Sequence, residues 1–262
     1  MIDEVALYSF LLRILGWSAG RATAIESAIR AIHLSVTCQA ALVLLGDIDL
    51  APVAHGLHLR TLGAHRPFIL CNPRRVVERR TSRSLPSRAS GVEALEAARG
   101  GTLCIRASQR PRDFKAAIAL ARDPATNAQI VVCGDARHAN HPFLILPPPI
   151  RVPSLKERTS ELGRIIDEYA ADAIVAQGVD AGCFTDADRD WVLQHACESL
   201  AAIETATQRL VALRASRSTD AAAEVIGMAG AALRKWRSER RRGGGGGGVR
   251  QNARWMRVKA AP

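Results

Sequence analysis

Asp47 and Asp49 stand in the turn Gly46-Asp47-Ile48-Asp49-Leu50-Ala51-Pro52, directly after the apolar run Ala41–Leu45. A strand, a glycine turn and a helix form a frame that cradles phosphates, because backbone N–H groups and a helix N-terminus face the anion. That use requires G-x-x-x-x-G-K-S/T, with glycines for close backbone approach and a lysine for the β/γ-phosphates. This turn has neither the second glycine nor the lysine, and its two carboxylates would repel the ligand. Acid–base work by Asp47 and Asp49 needs a second group, and none is identifiable. His55-x-x-His58 and His138-x-x-His141 offer metal-ligand types, but the pairs lie about 80 residues apart, so no metal is expected. The six cysteines form no C-x-x-C pair and read as small buried residues in a reducing compartment.

The elements around this turn alternate. A helical pattern over Ala22–Leu34 leads into the Ala41–Leu45 strand, and a helix starts near Val53. Further strands are expected at Arg66–Asn72, Gly100–Ile105 and Ala128–Cys133, with helices over Gly91–Arg99 and Phe114–Ala121. Short apolar strands alternating with helices predict an α/β fold, a three-layer core on a parallel sheet. Pro147-Pro148-Pro149 marks its edge. Beyond it, Leu155–Ala173, Asp186–Glu198 and Ala201–Ala215 all read as helices, and Thr185 with Asp188 resembles a capping box.

Composition narrows the function classes. Apolar residues make up 48% of the 262 residues and aromatics 4%, enough for a real, largely aliphatic core. The apolar run Val5–Trp17 follows two acids and is broken by Arg13, so it is neither a signal peptide nor a membrane span, and a cytoplasmic protein is expected. Of the net charge of +11, +9 lies in Ala231–Pro262. That asymmetry predicts a polyanion-binding C-terminus on a nearly neutral body. Arg74–Arg88 carries six arginines and reads as a solvated loop. Gly243–Gly248 is a linker expected to span about 13 Å root-mean-square, tethering Arg250, Arg254, Arg257 and Lys259.

By Val152-Pro153-Ser154-Leu155-Lys156-Glu157-Arg158 the accumulated pattern resembles a known family, the AAA+ central domain of bacterial sigma-54-dependent activators. The segment is similar to the family's L-P-P-L-R-E-R. Arg66-Pro67-Phe68 with Asn72 resembles R-x-P-F-V-x-x-N-C, and Glu96-Ala97 followed by Gly100-Gly101-Thr102-Leu103 resembles E-x-A-x-G-G-T-L-F-L-D-E. His58 matches a histidine common in the family's helix after the phosphate loop. The departures fall on the chemistry. Arg106 and Ala107 stand where the family has its magnesium-holding Asp-Glu pair, Cys133-Gly134 where it has a polar sensor, and Ala201 where a lid arginine reaches the nucleotide. The arginine-rich segment replaces the loop that touches the sigma factor. Phosphoryl transfer is positioning and electrostatics, so the resemblance implies a non-hydrolysing relative, not an enzyme, with no cofactor and no catalytic residue.

The last folded piece, Ser218–Arg240, resembles the Fis-type helix-turn-helix that ends many such activators. Its framework is Ala223, Gly227, Leu233 and Trp236: alanine for close approach, glycine for the turn's positive φ, and two anchors for the second helix. That helix begins Ala229-Gly230-Ala231-Ala232, too small to read bases, so Arg234, Lys235, Arg237 and Arg240 are expected to contact phosphates of duplex DNA. The expected domains are 1–149, an α/β AAA+-like core; 150–216, a helical lid; 217–242, the helix-turn-helix; and 243–262, a basic tail. The leading reading is a DNA-binding transcriptional regulator whose body serves as scaffold or homo-oligomerisation surface. Its further partners would be sigma-54 polymerase or an active homologous activator. The alternatives are a nucleotide-binding activator and an interaction protein that binds no DNA.

Overall fold

The computed structural model describes residues 2–38, 40–73, 85–121, 123–135 and 147–243. They form two compact units, one ending at Glu161 and the other starting at Leu162. The division falls past the Pro147–Pro149 edge, because Ile150 and Arg151 still add a strand to the sheet.

The first unit is an α/β sandwich on a six-stranded sheet that is parallel throughout. Its strands are β1 (Leu42–Leu45), β2 (Phe68–Cys71), β3 (Ser87–Arg88), β4 (Thr102–Arg106), β5 (Gln129–Gly134) and β6 (Ile150–Arg151), in the order β3-β2-β4-β5-β1-β6. The helices are α1 (Glu4–Leu15), α2 (Ala22–Cys38), α3 (Ala51–Thr61), α4 (Gly91–Ala97) and α5 (Phe114–Ala121). Alternating side chains serve opposite faces of the sheet. Val43, Leu45, Ile69, Leu103, Ile105, Ile130 and Val132 pack against α4 and α5. The opposite face meets α2 and α3 through Thr102 and Gln129, which hydrogen-bond His58 and Ser35. The expected three-layer core is therefore present. Gly101 is required at the start of β4, since a Cβ there would collide with the carbonyl of Pro67.

Two features of this unit depart from the sequence reading. The two-residue edge strands β3 and β6 were not expected, and Leu155–Glu161 is a kinked 3-10 segment rather than the start of a long α-helix. The kink is at Arg158 (φ −122°, ψ 30°), whose side chain turns inward and is only 3% exposed. Its Nη1 donates to the carbonyls of Arg13 (2.8 Å) and Ile14 (3.1 Å) at the end of α1, and its Nε to Glu161 (2.8 Å). Glu161 in turn accepts the backbone N–H of Trp17 at 3.1 Å. The arginine of the family-like segment is thus a fastener for the N-terminal helix.

The second unit is all α: α6 (Leu162–Gln177), α7 (Asp186–His195), α8 (Leu200–Ala215), α9 (Thr219–Val225) and α10 (Gly230–Gly243). Three of these helices start on a hydroxyl cap. Thr185 forms a full capping box with Asp188, Ser199 accepts the Ala202 N–H (3.1 Å), and Ser218 accepts the Ala221 N–H (3.1 Å). Each such cap stabilises its helix by about 1 kcal/mol.

Candidate functional site

Two sites follow from these elements, one in each unit. In the first, the C-terminal ends of β1, β4 and β5 open into a cleft of about 390 Å³ lined by Gly46–Leu50, Arg106, Ser108 and Cys133–Asp135. Ligands of parallel α/β sheets bind at such strand ends. Here the protein's own charges fill that role. Arg106, the last residue of β4, donates to Asp49 through Nε (3.2 Å) and Nη2 (2.8 Å). Asp49 Oδ1 also accepts the N–H of Ala51, the first residue of α3, at 3.2 Å. A carboxylate from the chain therefore sits at the helix N-terminus, where a phosphate would be held. Burial disfavours the Arg106 cation, but the hydrogen bonds and charge of Asp49 outweigh it and hold its pKa above that of a free arginine. The usual polarity of a phosphate site, cation on the loop and acid on the strand, is reversed.

Cys133, which lines the cleft, is no ready nucleophile. Cys133 and Cys104 lie sulfur to sulfur at 3.7 Å, and the contact with Cys104 together with burial pushes the Cys133 thiol well up, so it stays protonated. Among the described residues no group of three or more His, Cys, Asp or Glu side chains could hold a metal ion.

His58 is a core residue rather than a ligand. It is 2% exposed, its Nε2 donates to the carbonyl of Arg66 (3.1 Å), and Nδ1 lies 2.9 Å from Thr102 Oγ1, which reaches Gln129 Oε1 at 3.2 Å. His55 packs edge-on against Phe68. His138 and His141 lie outside the described residues. Burial is the main cause that pulls the His58 pKa below its ordinary 6.5. The folded state therefore favours neutral His58, and its contribution is fully present above pH 6.5 and is lost as pH falls through the lowered folded value. Replacing His58 by alanine leaves Thr102 and the Arg66 carbonyl short of a partner and costs about 2–4 kcal/mol of stability. Urea titrations of both proteins measure this, and equal midpoints at pH 7.5 would refute the structural role.

The second site is the helix pair α9–α10. α9 closes in a Schellman turn: Met228 N–H donates to Ala223 (2.7 Å), Gly227 N–H to Glu224 (2.9 Å), and Gly227 has φ +62°. Glycine takes that conformation without a Cβ penalty. Ala223 (1% exposed) and Leu233 (0%) join Ala212, Ala222 and Ile226 in one small core, with Trp236 packed against it. All four framework residues named from the sequence thus meet at the turn and the interface it creates.

The basic residues of α10 divide into two groups. Lys235 is 80% exposed, with only Glu239 3.9 Å away. Arg234 is paired with Asp220 of α9, and Arg237 Nη1 donates to the Thr219 hydroxyl at 2.7 Å. Arg240 turns towards α7, where its Nη2 donates to Asp188 Oδ1 (2.7 Å) and its guanidinium lies 5.4 Å from the Trp191 ring centre. Asp188 is fully buried and also grips Arg214 of α8. Burial opposes its charge, yet hydrogen bonds from Arg214, Thr185 and Arg240 hold its pKa below the usual carboxylate range. Trp191 and Trp236 meet edge to face at 5.3 Å. Sequence reading found Asp188 only as a helix cap, and missed Arg214, Trp191 and the clasp they form.

No protein-family profile matches the chain, and no curated protein is similar to it. Among solved structures it is similar to NtrX from Brucella abortus in complex with ATP, at 15% identity and TM-score 0.44, over 88% of this chain and 71% of that one. The ADP complex of the same protein gives 13% identity and TM-score 0.47, over 86% and 70%. A third NtrX structure gives 14% and 0.46, over 88% and 70%. Likeness at this level assigns no residue a role. No described helix is long and apolar enough to cross a membrane.

Proposed function

We propose that the chain is a DNA-binding transcriptional regulator akin to the sigma-54-dependent activators, with an AAA+-like body that no longer hydrolyses ATP. The helix pair α9–α10 carries this reading: a glycine turn, a shared core at Ala223 and Leu233, and an outer helix bearing Arg234, Lys235, Arg237, Arg241 and Arg242. The first turn of that helix is Gly230-Ala231-Ala232, and the Asp220 carboxylate crowds Gly230, so phosphate contacts suit it better than base reading. The body then serves as scaffold or self-association surface, and a homologous activator or sigma-54 polymerase is its protein partner. A titration of duplex DNA at several salt concentrations tests the reading, with affinity expected to fall by about 0.9 log units per log unit of salt for each phosphate contacted. Absence of salt-dependent binding would sink it.

The reversed polarity of the strand-end cleft supports loss of the ATPase. Asp49 stands at the α3 N-terminus and Arg106 where magnesium carboxylates would be needed. ATP with magnesium is therefore expected neither to bind measurably nor to turn over above a no-protein blank. Calorimetry and phosphate release measure this. A turnover that disappears when Gly46 is changed would show the expectation to be wrong.

A further inference from the structure

The second unit holds a cleft of about 550 Å³ between α7, α8 and α10, lined by Arg214, Arg237, Arg240 and Arg241 together with Trp191 and an apolar floor at Leu210 and Leu213. Four guanidinium groups line it and no carboxylate does. Beneath it Asp188 is fully buried, with one oxygen taken by Arg214 and the other by Arg240. Its single charge leaves the four arginines three positive charges in excess.

Three of these side chains are already fixed in place. Arg214 and Arg240 are held by Asp188, and Arg237 by the Thr219 hydroxyl at 2.7 Å. Arg241 has no ion-pair partner among the described residues. Like charges so close repel one another, and planar guanidinium forks match phosphate oxygens two bonds at a time. The Trp191 ring is stacked by His195 at 4.9 Å and approached by Arg240 at 5.4 Å, so its faces are occupied and a nucleobase has no platform there.

From these observations we infer that the cleft is a phosphate-binding site, taking the phosphate groups of a small phosphorylated molecule or of a nucleic-acid backbone. The apolar floor suits the carbon skeleton that carries the phosphate. Which of the two sources supplies it is a separate question from whether the site exists, and the site stands whether or not duplex DNA proves to be the partner of α10.

The test is calorimetric titration of the full chain with inorganic pyrophosphate, against sodium chloride at matched ionic strength. Saturable one-to-one binding is expected. Arg237→Ala and Arg241→Ala, which leave the Asp188 clasp intact, should each weaken it about tenfold or more, since hydrogen bonds to charged groups are the strong ones. Arg217→Ala, at an exposed arginine of the same unit that does not line the cleft, should leave it unchanged, and circular dichroism confirms that the variants fold. In a second arm, pyrophosphate competes with labelled duplex DNA. Displacement beyond the chloride control assigns the site to backbone phosphates, whereas unchanged DNA binding at saturating pyrophosphate assigns it to small phosphorylated molecules. Absence of saturable pyrophosphate binding overturns the site whatever the DNA result, and so does an Arg217→Ala effect as large as that of Arg241→Ala. Saturable pyrophosphate binding without any DNA binding would keep the site and overturn the regulator reading alone.

Discussion

Replacing Asp188 by alanine lowers the unfolding free energy of the C-terminal unit by about 2–4 kcal/mol, because two charge-assisted hydrogen bonds and half of a capping box go together. Asp188 is 0% exposed, so the hydrogen bonds it accepts are shielded from water. Its loss leaves Arg240 pressed against Trp191 without a counter-charge, and removes half of the capping box that starts α7. Arg214→Ala should cost only about 1 kcal/mol, because that side chain is 42% exposed and keeps its hydration. The pH dependence follows from the lowered carboxyl pKa. The native state binds fewer protons than the unfolded chain, so the contribution is present above about pH 3.8 and is lost as pH falls through the depressed folded value. Urea unfolding followed by tryptophan fluorescence measures both variants. A loss below about 1 kcal/mol for Asp188→Ala would mean that the clasp is not formed in solution.

Asp188 also marks where sequence reading stops. Its capping role is a local pattern, three residues from Thr185, and was legible. Its pairing with Arg214 and Arg240 spans 26 and 52 positions and depends on how three helices stack. The strands β1, β2, β4 and β5 were legible because each is a short apolar run, whereas β3 and β6 have two residues each and too little pattern to register. The Leu155 segment has helical spacing on paper, but Arg158 finds two backbone carbonyls of α1 and breaks the helix to reach them. At the strand-end cleft, the wrong charges were visible one residue at a time. That Asp49 and Arg106 grip each other, 57 positions apart, was not.

The second large effect concerns DNA. Leu233→Ala should erase any preference between a selected site and random duplex while leaving weak, salt-sensitive binding. Leu233 is the largest fully buried side chain of the α9–α10 core, whose other buried members are three alanines and Ile226. Its truncation costs about 2–5 kcal/mol, more than so small a core can lose and still hold α10 in register. Trp236→Ala should act in the same direction, since it removes the edge-to-face contact with Trp191. Truncation after Arg242 acts differently. Beyond Gly243 the segment it removes lies outside the described residues; it carries Arg250, Arg254, Arg257 and Lys259, so the slope of log affinity against log salt should fall by up to roughly 3–4 units. The loss should be similar on every sequence, because charge alone reads no bases. Competition between the selected and random duplexes, run on intact, truncated and substituted protein, separates the two. Preference lost by truncation but kept in Leu233→Ala would remove the helix-turn-helix assignment.

The Arg158 fastener has a consequence for how the protein is born. The helix α1 is made before the sheet it joins, yet the guanidinium that satisfies two of its last carbonyls is encoded 145 residues later. At about 5–20 residues per second, that interval is roughly 7–30 s of synthesis. Over it, Leu7, Phe10, Leu11 and Ile14, all buried in the finished protein, can already pack with α2 and α3, while those two carbonyls wait for their donor. The body of α1 can thus dock long before its C-terminal end is secured, so the end of this helix is the part that waits on distant sequence.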